Sequence, residues 1–280
     1  MEYALEIKDL CKSYNTFTLE DISFKVEKGS IMGLVGRNGA GKTTTIKAAL
    51  NIINKDSGVV KVFNKEVSDV TEDVGIVFDG STFSGDLTVT QLQHVLSQTY
   101  SNWDDARYTE LLNRFNLALE KKIRTFSRGM IMKLSIIVAL SHGAKLLILD
   151  EATGGLDVAT REEVLDLLVE FVSEEDNSIL MSSHISGDLE KIADNITFID
   201  EGKIIFQELK DKLVYEYAIA RMKDADFEKL QTKEFIAARK RGLQYEVLVG
   251  DKEVFASKYP NIEIGNARID EVLTLISNSN

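Results

Sequence analysis

The sequence has few of the features on which secreted and membrane-embedded proteins depend. Its 280 residues include one cysteine, Cys11, which excludes an internal disulfide and suits a reducing cytoplasm. It contains no uninterrupted apolar run of the roughly 18 residues that a membrane-spanning helix needs. The opening stretch MEYALEIKDL carries acidic residues and lacks the basic-then-apolar form of a secretion signal. The composition therefore predicts a cytoplasmic protein without a membrane span.

Positive charge is also scarce. Lysine and arginine together number 33, against 45 aspartates and glutamates, which leaves a formal net charge of −12. This balance disfavours binding to nucleic acid or to an anionic lipid surface through net charge, although net charge does not exclude a local basic patch. The chain shows no internal repeat and no low-complexity tract. With 44% hydrophobic residues it can bury a large core, and we predict one or two folded domains and no nucleic-acid partner.

A glycine-rich stretch, GRNGAGKTT, is the most informative part of the chain. Gly36, Gly41, Lys42 and Thr43 match the phosphate-binding loop, in which four residues separate a glycine from Gly-Lys-Thr. The apolar segment IMGLVG precedes it as a predicted strand, and TTIKAALNII follows with helical spacing. Inward-facing N–H groups and the N-terminal end of the helix attract phosphate oxygens. We predict that Lys42 reaches the β- and γ-phosphates and that the Thr43 hydroxyl ligates Mg²⁺. The flanks disfavour the alternative of a glycine-rich turn that matches by chance.

A second motif, LLILDE, places two carboxylates at the end of a predicted buried strand. Open α/β sheets bind their ligands at the carboxyl ends of their strands. Asp150 is predicted to hold Mg²⁺, through a water molecule, and Glu151 to accept a proton from an attacking water. The alternative is a strand that simply ends in solvated acids.

A third segment, FSRGM, stands just before a predicted helix. Ser127 and Gly129 offer a hydroxyl and N–H groups at the start of that helix, which could bind another anion. The alternative is an ordinary helix cap by Ser127.

Strand and helix patterns alternate along most of the chain, which predicts a mainly parallel α/β sheet. The helix after the phosphate loop is predicted to extend to Ile53, and another helix to span TREEVLDLLVEFVSEED. Residues 84–142 read as a mostly helical insertion. After about residue 208 the pattern changes, so residues 209–280 are predicted to form a small α+β appendage.

Five motifs follow one order: the phosphate loop, FSRGM, LLILDE, GGLD from Gly154 to Asp157, and His184 after a strand. This order resembles the nucleotide-binding subunit of an ABC transporter over residues 3–208. The resemblance implies a P-loop ATPase fold with a mainly parallel core sheet, an N-terminal antiparallel β subdomain and a helical subdomain at about 84–142. It divides the chain into an ATPase domain, 1–208, and an accessory domain, 209–280.

The resemblance implies a role for each matching residue. Tyr14 would stack on adenine, unless it is a half-buried strand residue. His184 would contact the γ-phosphate, whereas a single histidine is usually structural. Asp157 would lie in the loop that couples two subunits. The other ATP, metal and base positions are Gly36, Asn38, Gly39, Ala40, Gly41, Lys42, Thr43, Thr44, Asp150 and Glu151.

The resemblance also implies that ATP and Mg²⁺ are bound between two chains. Because each motif occurs once, Ser127 and Gly129 would act on the ATP of the other subunit in a head-to-tail homodimer or heterodimer. ATP that bridges both surfaces would favour closure, and its hydrolysis would reopen the dimer.

Four positions, in three motifs, depart from the usual pattern of the family. Asp79 stands in place of a glutamine and is predicted to interact with Mg²⁺ or with its water. Arg128 and Met130 replace a glycine and a glutamine of the signature. Ala152 replaces a proline and removes no catalytic group.

The missing membrane span implies that this ATPase docks on a separate permease. The predicted docking surface is the helical insertion near residues 80–105, including DGSTFSGDLTV. One branch of the family consists of ATPases that serve exporters of antimicrobial peptides, toxins and drugs. The chain is similar to this branch in three segments: FSRGM, SNWDDARYTELLNRFNL and the appendage. That branch includes the phenol-soluble modulin exporter ATPases and bacitracin-resistance-type ATPases. Two alternatives stay open: an ABC ATPase that acts on ribosomes or nucleic acid, and a nucleotide-regulated binding module with little turnover.

Overall fold

The computed structural model of the chain describes residues 3–80, 83–174 and 177–277. The strands are β1 (Tyr3–Ser13), β2 (Thr18–Glu27), β3 (Ile31–Val35), β4 (Ser57–Val62), β5 (Val74–Val77), β6 (Leu146–Asp150), β7 (Ser178–Ser183), β8 (Asn195–Asp200), β9 (Lys203–Leu209), β10 (Ala218–Met222), β11 (Ala237–Arg241), β12 (Gln244–Val249) and β13 (Glu263–Asn266). The α-helices are α1 (Lys42–Ala49), α2 (Val89–Thr99), α3 (Asp105–Arg114), α4 (Arg128–Ser141), α5 (Val158–Val172), α6 (Ser186–Ile192), α7 (Lys210–Tyr215), α8 (Asp224–Phe227), α9 (Lys252–Lys258) and α10 (Ile269–Ser277). None of these helices has both the length and the apolar character that crossing a membrane requires.

The central sheet has six strands in the order β5-β6-β7-β3-β8-β9. All neighbouring strands run parallel except β8 and β9, which form an antiparallel edge. Strands β3, β6 and β7 are buried along their whole length, so their sequences are apolar or small except for Asp150 at the end of β6. The predicted, mainly parallel sheet is confirmed. Its arrangement brings the carboxyl ends of these three strands to one edge, where the predicted motifs follow.

A second sheet, in the order β2-β1-β4, is antiparallel. Its apolar residues, among them Leu5, Ile22 and Val60, share one core cluster with Leu34 of β3 and Ile46 of α1. Helix α1 contacts β1, β2 and β6. The phosphate-loop helix therefore packs between the two sheets, and the implied N-terminal antiparallel subdomain is confirmed.

Helices α2, α3 and α4 follow β5 and precede β6. Thr88 and Gln91 form a capping box at the start of α2, and the Asp104 carboxylate caps α3. Tyr108 of α3 is fully buried in the main core cluster. These helices form the helical part expected at about 84–142, whose limits stay a prediction.

The C-terminal part is an antiparallel sheet in the order β11-β12-β10-β13. Ile219, Leu248 and Val272 belong to the main core cluster, and α10 contacts α6. The Ile269 N–H also donates a hydrogen bond to Glu190 of α6 at 2.9 Å. The C-terminal part thus shares its core with the rest of the chain. The predicted boundary at residue 208 falls near the end of β9, and the division into two domains stays a prediction.

Two helices are shorter than predicted. Helix α1 ends at Ala49 rather than at Ile53, because Asn51 has a φ of 55°, in the left-handed region that ends helices. Helix α5 ends at Val172. Its predicted extension reached residues 175 and 176, which lie outside the described residues.

Candidate nucleotide-binding site

The phosphate loop connects β3 to α1 and takes conformations that require glycine. Gly41 has a φ of 117°, in the region that residues with a Cβ rarely enter. A Cβ on Gly36 would stand 2.3 Å from the carbonyl oxygen of Ile199. The Lys42 ammonium donates to the Gly36 carbonyl at 2.8 Å and to the Arg37 carbonyl at 3.3 Å. The lysine is therefore folded back over its own loop, where a phosphate would be bound.

Asp150, at the end of β6, is hydrogen-bonded both to the phosphate loop and to the neighbouring strand β7. It is 4% exposed. Its Oδ2 accepts a hydrogen bond from the Thr43 hydroxyl at 2.7 Å, and its Oδ1 accepts one from the Ser182 hydroxyl of β7 at 2.6 Å. Three chain segments thus hold one carboxylate in a fixed orientation.

Glu151 lies at the centre of a charged cluster. Its Oε1 is 3.2 Å from the Lys42 ammonium, and its Oε2 is hydrogen-bonded to His184 Nδ1 and to the His184 N–H. Burial raises the pKa of Glu151, but the hydrogen bond with His184 and the charge of Lys42 lower it by more, so this pKa lies below its ordinary value. Glu151 is therefore a carboxylate at neutral pH, the form that can accept a proton.

The backbone at Glu151 is also unusual. Its φ of 56° is in the left-handed region, which non-glycine residues occupy mainly where the surrounding structure holds them. The Glu151 N–H donates to both the carbonyl and the hydroxyl of Ser182, each at 3.1 Å. These bonds turn the chain sharply after β6 and direct the side chain toward Lys42.

These groups surround a cleft of about 560 Å³. It is lined by Phe17, Arg37, Asn38, Gly39, Gly41, Lys42, Thr43, Thr44, Asp79, Arg128, Glu151, Gly154 and His184. Within the described ranges, the predicted site residues outside this lining are Tyr14, Gly36, Ala40, Ser127, Gly129, Asp150 and Asp157. Gly36 and Asp150 still belong to the site, through their hydrogen bonds with Lys42 and Thr43.

The aromatic ring beside the cleft is that of Phe17. Tyr14 lies in the turn between β1 and β2 and is 48% exposed. Its N–H donates to the Phe17 carbonyl at 2.7 Å, so both residues share one turn. The role of Tyr14 in adenine stacking stays a prediction. Sequence reasoning missed Phe17, for which the only signal was its place in the same turn.

Ser127 and Asp157 cap helices. The Ser127 hydroxyl accepts a hydrogen bond from the Met130 N–H at 3.3 Å, at the start of α4. Asp157 accepts from the Thr160 N–H at 3.0 Å and from its hydroxyl at 2.8 Å, at the start of α5. The capping alternative for Ser127 is thus observed, while the roles of both residues toward a second subunit stay predictions.

Magnesium would have to enter this site together with phosphate. Among residues 3–80, 83–174 and 177–277, no group of three or more histidine, cysteine or acidic side chains could hold a metal ion. Mg²⁺ in phosphate-transfer sites is typically bound by one or two protein oxygens plus phosphate oxygens and waters. The hydrogen-bonded oxygens of Thr43 and Asp150 fit this pattern. Asp79 is paired with Arg128 at 2.6 Å instead, and its predicted metal contact stays a prediction.

Comparison with known proteins gives the same assignment. The family model described as ABC transporter matches residues 19–154. The ABC transporter ATP-binding protein YtrB of Bacillus subtilis is 34% identical over 222 residues, which cover 78% of this chain and 76% of that protein. The bacitracin transport ATP-binding protein BcrA of Enterococcus faecalis is 32% identical over 73% of this chain and 69% of its own. A solved structure of an ATP-binding subunit of an ABC transporter is 27% identical, with a TM-score of 0.68 over 75% of this chain and 91% of that one.

The chain belongs to the family of ABC transporter ATP-binding proteins. It is an ATP-hydrolysing subunit of an ABC transporter, and the predicted enzyme class and fold are confirmed. Subunits of this family bind ATP, dimerise and work with a membrane permease.

Proposed function

We propose that this chain hydrolyses Mg-ATP in the cleft around Lys42 to power a separate membrane permease that exports peptides, toxins or drugs. The observation that carries the proposal is the convergence of Lys42, Glu151 and His184 in one cleft beside the Thr43–Asp150 pair. The subunit would work at the inner face of the membrane, held there by the permease.

The reaction needs a phosphate to displace an internal ion pair. The charge of Lys42 is shared between Glu151 and two loop carbonyls. A triphosphate in the loop would draw the ammonium toward its β- and γ-oxygens, because these carry more negative charge. Glu151 would then be released from Lys42 while it keeps His184. Nucleotide binding thereby frees the base.

Hydrolysis follows from that arrangement. A water oxygen attacks the γ-phosphorus, the bond to the β-phosphate oxygen breaks, and ADP leaves. Glu151 accepts the proton of the attacking water, and His184 contacts the γ-phosphate. Bound Mg²⁺ would neutralise charge on the phosphate oxygens, held by Thr43 and Asp150.

A second ATPase subunit would complete the site, as a homodimer or a heterodimer. The support is that Ser127 and Gly129 are absent from the described lining of their own cleft. A partner chain placed head-to-tail would present these residues to the nucleotide, with Asp157 at the junction.

The docking surface for the permease is proposed at residues 80–105. Ser81 and Thr82 of this segment lie outside the described residues. The support is the similarity of this segment to the helical part of the family, and Val95 of α2 is 48% exposed there. The export of peptides or drugs is supported by the similarity to a bacitracin transport protein.

A phosphate-release assay tests the enzyme. Glu151→Gln should lower the rate about 100-fold or more, because it removes the general base. Glu163→Gln, on the exposed face of α5, is the matched control and should leave the rate unchanged. Equal rates in wild type and Glu151→Gln would leave a nucleotide-regulated module without turnover as the better function.

Export is tested in cells that produce the chain together with a candidate permease. Cells with the wild-type chain should survive a higher concentration of a peptide antibiotic than cells with Lys42→Ala. Equal sensitivity across a panel of peptides and drugs would refute the proposed cargo class.

Co-purification with ribosomes instead of a membrane protein would favour the ribosome-acting alternative.

A further inference from the structure

The first N–H group of α10 is capped by a distant part of the chain. The Val272 N–H donates to the Arg268 carbonyl at 3.0 Å, so Arg268 is the residue that opens this helix. An arginine side chain carries donors only and cannot accept from the N–H groups of a first turn. The Ile269 N–H donates instead to Glu190 Oε1 of α6 at 2.9 Å. Glu190, 79 positions away, therefore supplies an acceptor that is usually local.

Helix α6 is held on three sides. Its Leu189 is fully buried in the main core cluster, and α6 contacts β3 and β7 of the central sheet. Toward α5, Lys191 pairs with Glu162, and both side chains are about half exposed, so this pair contributes little. Toward α10, Glu190 forms a partly buried hydrogen bond with a charged acceptor, which is the stronger kind. The contact with the C-terminal part is therefore the firmer of these two polar contacts.

The position of α6 bears directly on His184. Only Ile185 separates His184 from Ser186, the first residue of α6. The His184 side chain is 52% exposed, so packing alone does not fix its imidazole. The ring is held by its backbone and by Glu151, which accepts from the His184 N–H at 3.2 Å and is hydrogen-bonded to Nδ1. A displacement of α6 would consequently move the imidazole relative to Glu151.

We propose that Glu190 is a positioning residue for ATP hydrolysis: its bond to α10 holds α6, and α6 in turn fixes His184 beside Glu151. The inference rests on the proposed function, in which His184 and Glu151 act on the γ-phosphate and the attacking water. Neither Glu190 nor any residue of α10 belongs to the described lining of the cleft. Loss of the bond should therefore slow the chemical step and leave nucleotide binding in place.

Phosphate release by the chain, measured against Mg-ATP concentration, tests the proposal. Glu190→Ala should lower kcat about tenfold, within the range that a small misplacement of a catalytic group costs, and should change KM for ATP by less than about twofold. Lys191→Ala removes the exposed pair on the same helix and, as the matched control, should leave both constants unchanged. An unchanged kcat in Glu190→Ala, an equal loss in Lys191→Ala, or a KM that rises as much as kcat falls would overturn the proposal.

Two conservative variants separate the hydrogen bond from the charge. Glu190→Gln keeps an acceptor oxygen at the same reach and should retain most of the rate. Glu190→Asp keeps the charge but is one methylene group shorter, so it should lose kcat as Glu190→Ala does. These two variants also carry the test if Glu190→Ala does not fold. A slow Glu190→Gln together with a normal Glu190→Asp would show that the bond to α10 is not what matters.

A double variant shows whether Glu190 acts through His184. In a His184→Ala background, Glu190→Ala should lower kcat no further, because the group that Glu190 positions is already missing. Losses that multiply would mean that Glu190 acts elsewhere, which overturns the assignment. An unchanged rate in His184→Ala alone would refute the role of His184 in the proposed function instead.

The NMR signals of the imidazole rings give a readout that does not need turnover. The chain has three histidines, and His184→Ala identifies the ring signal of His184. Glu190→Ala should shift that signal and leave those of His94, in α2, and His142, directly after α4, unchanged. A His184 signal that does not move would overturn the proposal even if the rate falls. Absence of ATP hydrolysis in the wild type would refute the proposed function without affecting this result, so the two failures can be told apart.

Discussion

Replacing Ser182 by alanine should disturb the proposed metal-binding oxygens while leaving Thr43 and Asp150, which carry them, unchanged. Ser182 is fully buried, and its hydroxyl donates to Asp150 at 2.6 Å and accepts from the Glu151 N–H at 3.1 Å. The Glu151 N–H keeps its second bond, to the Ser182 carbonyl at 3.1 Å. Asp150 Oδ1, however, is left in a buried position without this donor.

The expected cost follows from that lost donor. A buried charged acceptor that loses its hydrogen bond costs about 2 kcal/mol, which corresponds to a melting temperature lower by roughly 4 °C in a chain of this size. Because Asp150 also accepts from Thr43, it should keep its place but lose its orientation. Removal of such supporting hydrogen bonds typically weakens metal binding about tenfold or more.

The assay is phosphate release as a function of Mg²⁺ concentration, together with urea unfolding. Ser182→Ala should need about ten times more Mg²⁺ for half-maximal rate. Ser135→Ala is the matched control, since Ser135 is also buried but its hydroxyl donates only to the Ile131 carbonyl within α4. If both variants had the same Mg²⁺ requirement, Ser182 would have no role in orienting Asp150.

Three further outcomes are expected. The stability that Glu151 contributes relative to Glu151→Gln should be present at pH 7 and should shrink as pH falls below 4.5, because the folded-state pKa of Glu151 is lowered from that value. Urea unfolding of both proteins at several pH values measures the difference in stability, and a difference that grows on acidification would contradict the expectation. Phe17→Ala should weaken ATP binding about tenfold, as expected for loss of one stacking ring, whereas a loss confined to Tyr14→Ala would assign the stacking to Tyr14. Leu275→Ala should lower the free energy of unfolding by about 3 kcal/mol, since Leu275 is 1% exposed and belongs to the main core cluster. An unchanged midpoint of urea unfolding would mean that α10 does not stabilise the ATPase part.

Much of the fold could be predicted because its signals are local. Strands β3 and β6 are buried on both faces and therefore read as apolar runs, with Asp150 as the last residue of β6. Helix α5 was expected to run beyond Val172, since periodicity does not report where capping ends a helix. The end of α1 depends on the left-handed backbone of Asn51, which the apolar spacing of TTIKAALNII does not encode.

The site was predictable only in part. Lys42, Thr43 and Glu151 were predicted because each belongs to a contiguous motif, and the structure places all three in one cleft. Ser182 carries no motif, and its hydroxyl acts only because β7 pairs with β6 in the register that sets it opposite Asp150. Phe17 was missed for a similar reason, since only the packing of the first hairpin brings its ring to the cleft.

By itself, the amino-acid sequence determined which groups could bind a nucleotide, because the loop, the strand ends and the helix starts are set by neighbouring residues. The tertiary structure decided which of these groups meet. Asp79 and Arg128 are 49 positions apart, and Glu151 and His184 are 33 apart. Such pairs form only when parallel strands and the helical part bring distant segments to the same edge of the sheet, since contacts at that separation depend on packing and not on local conformation.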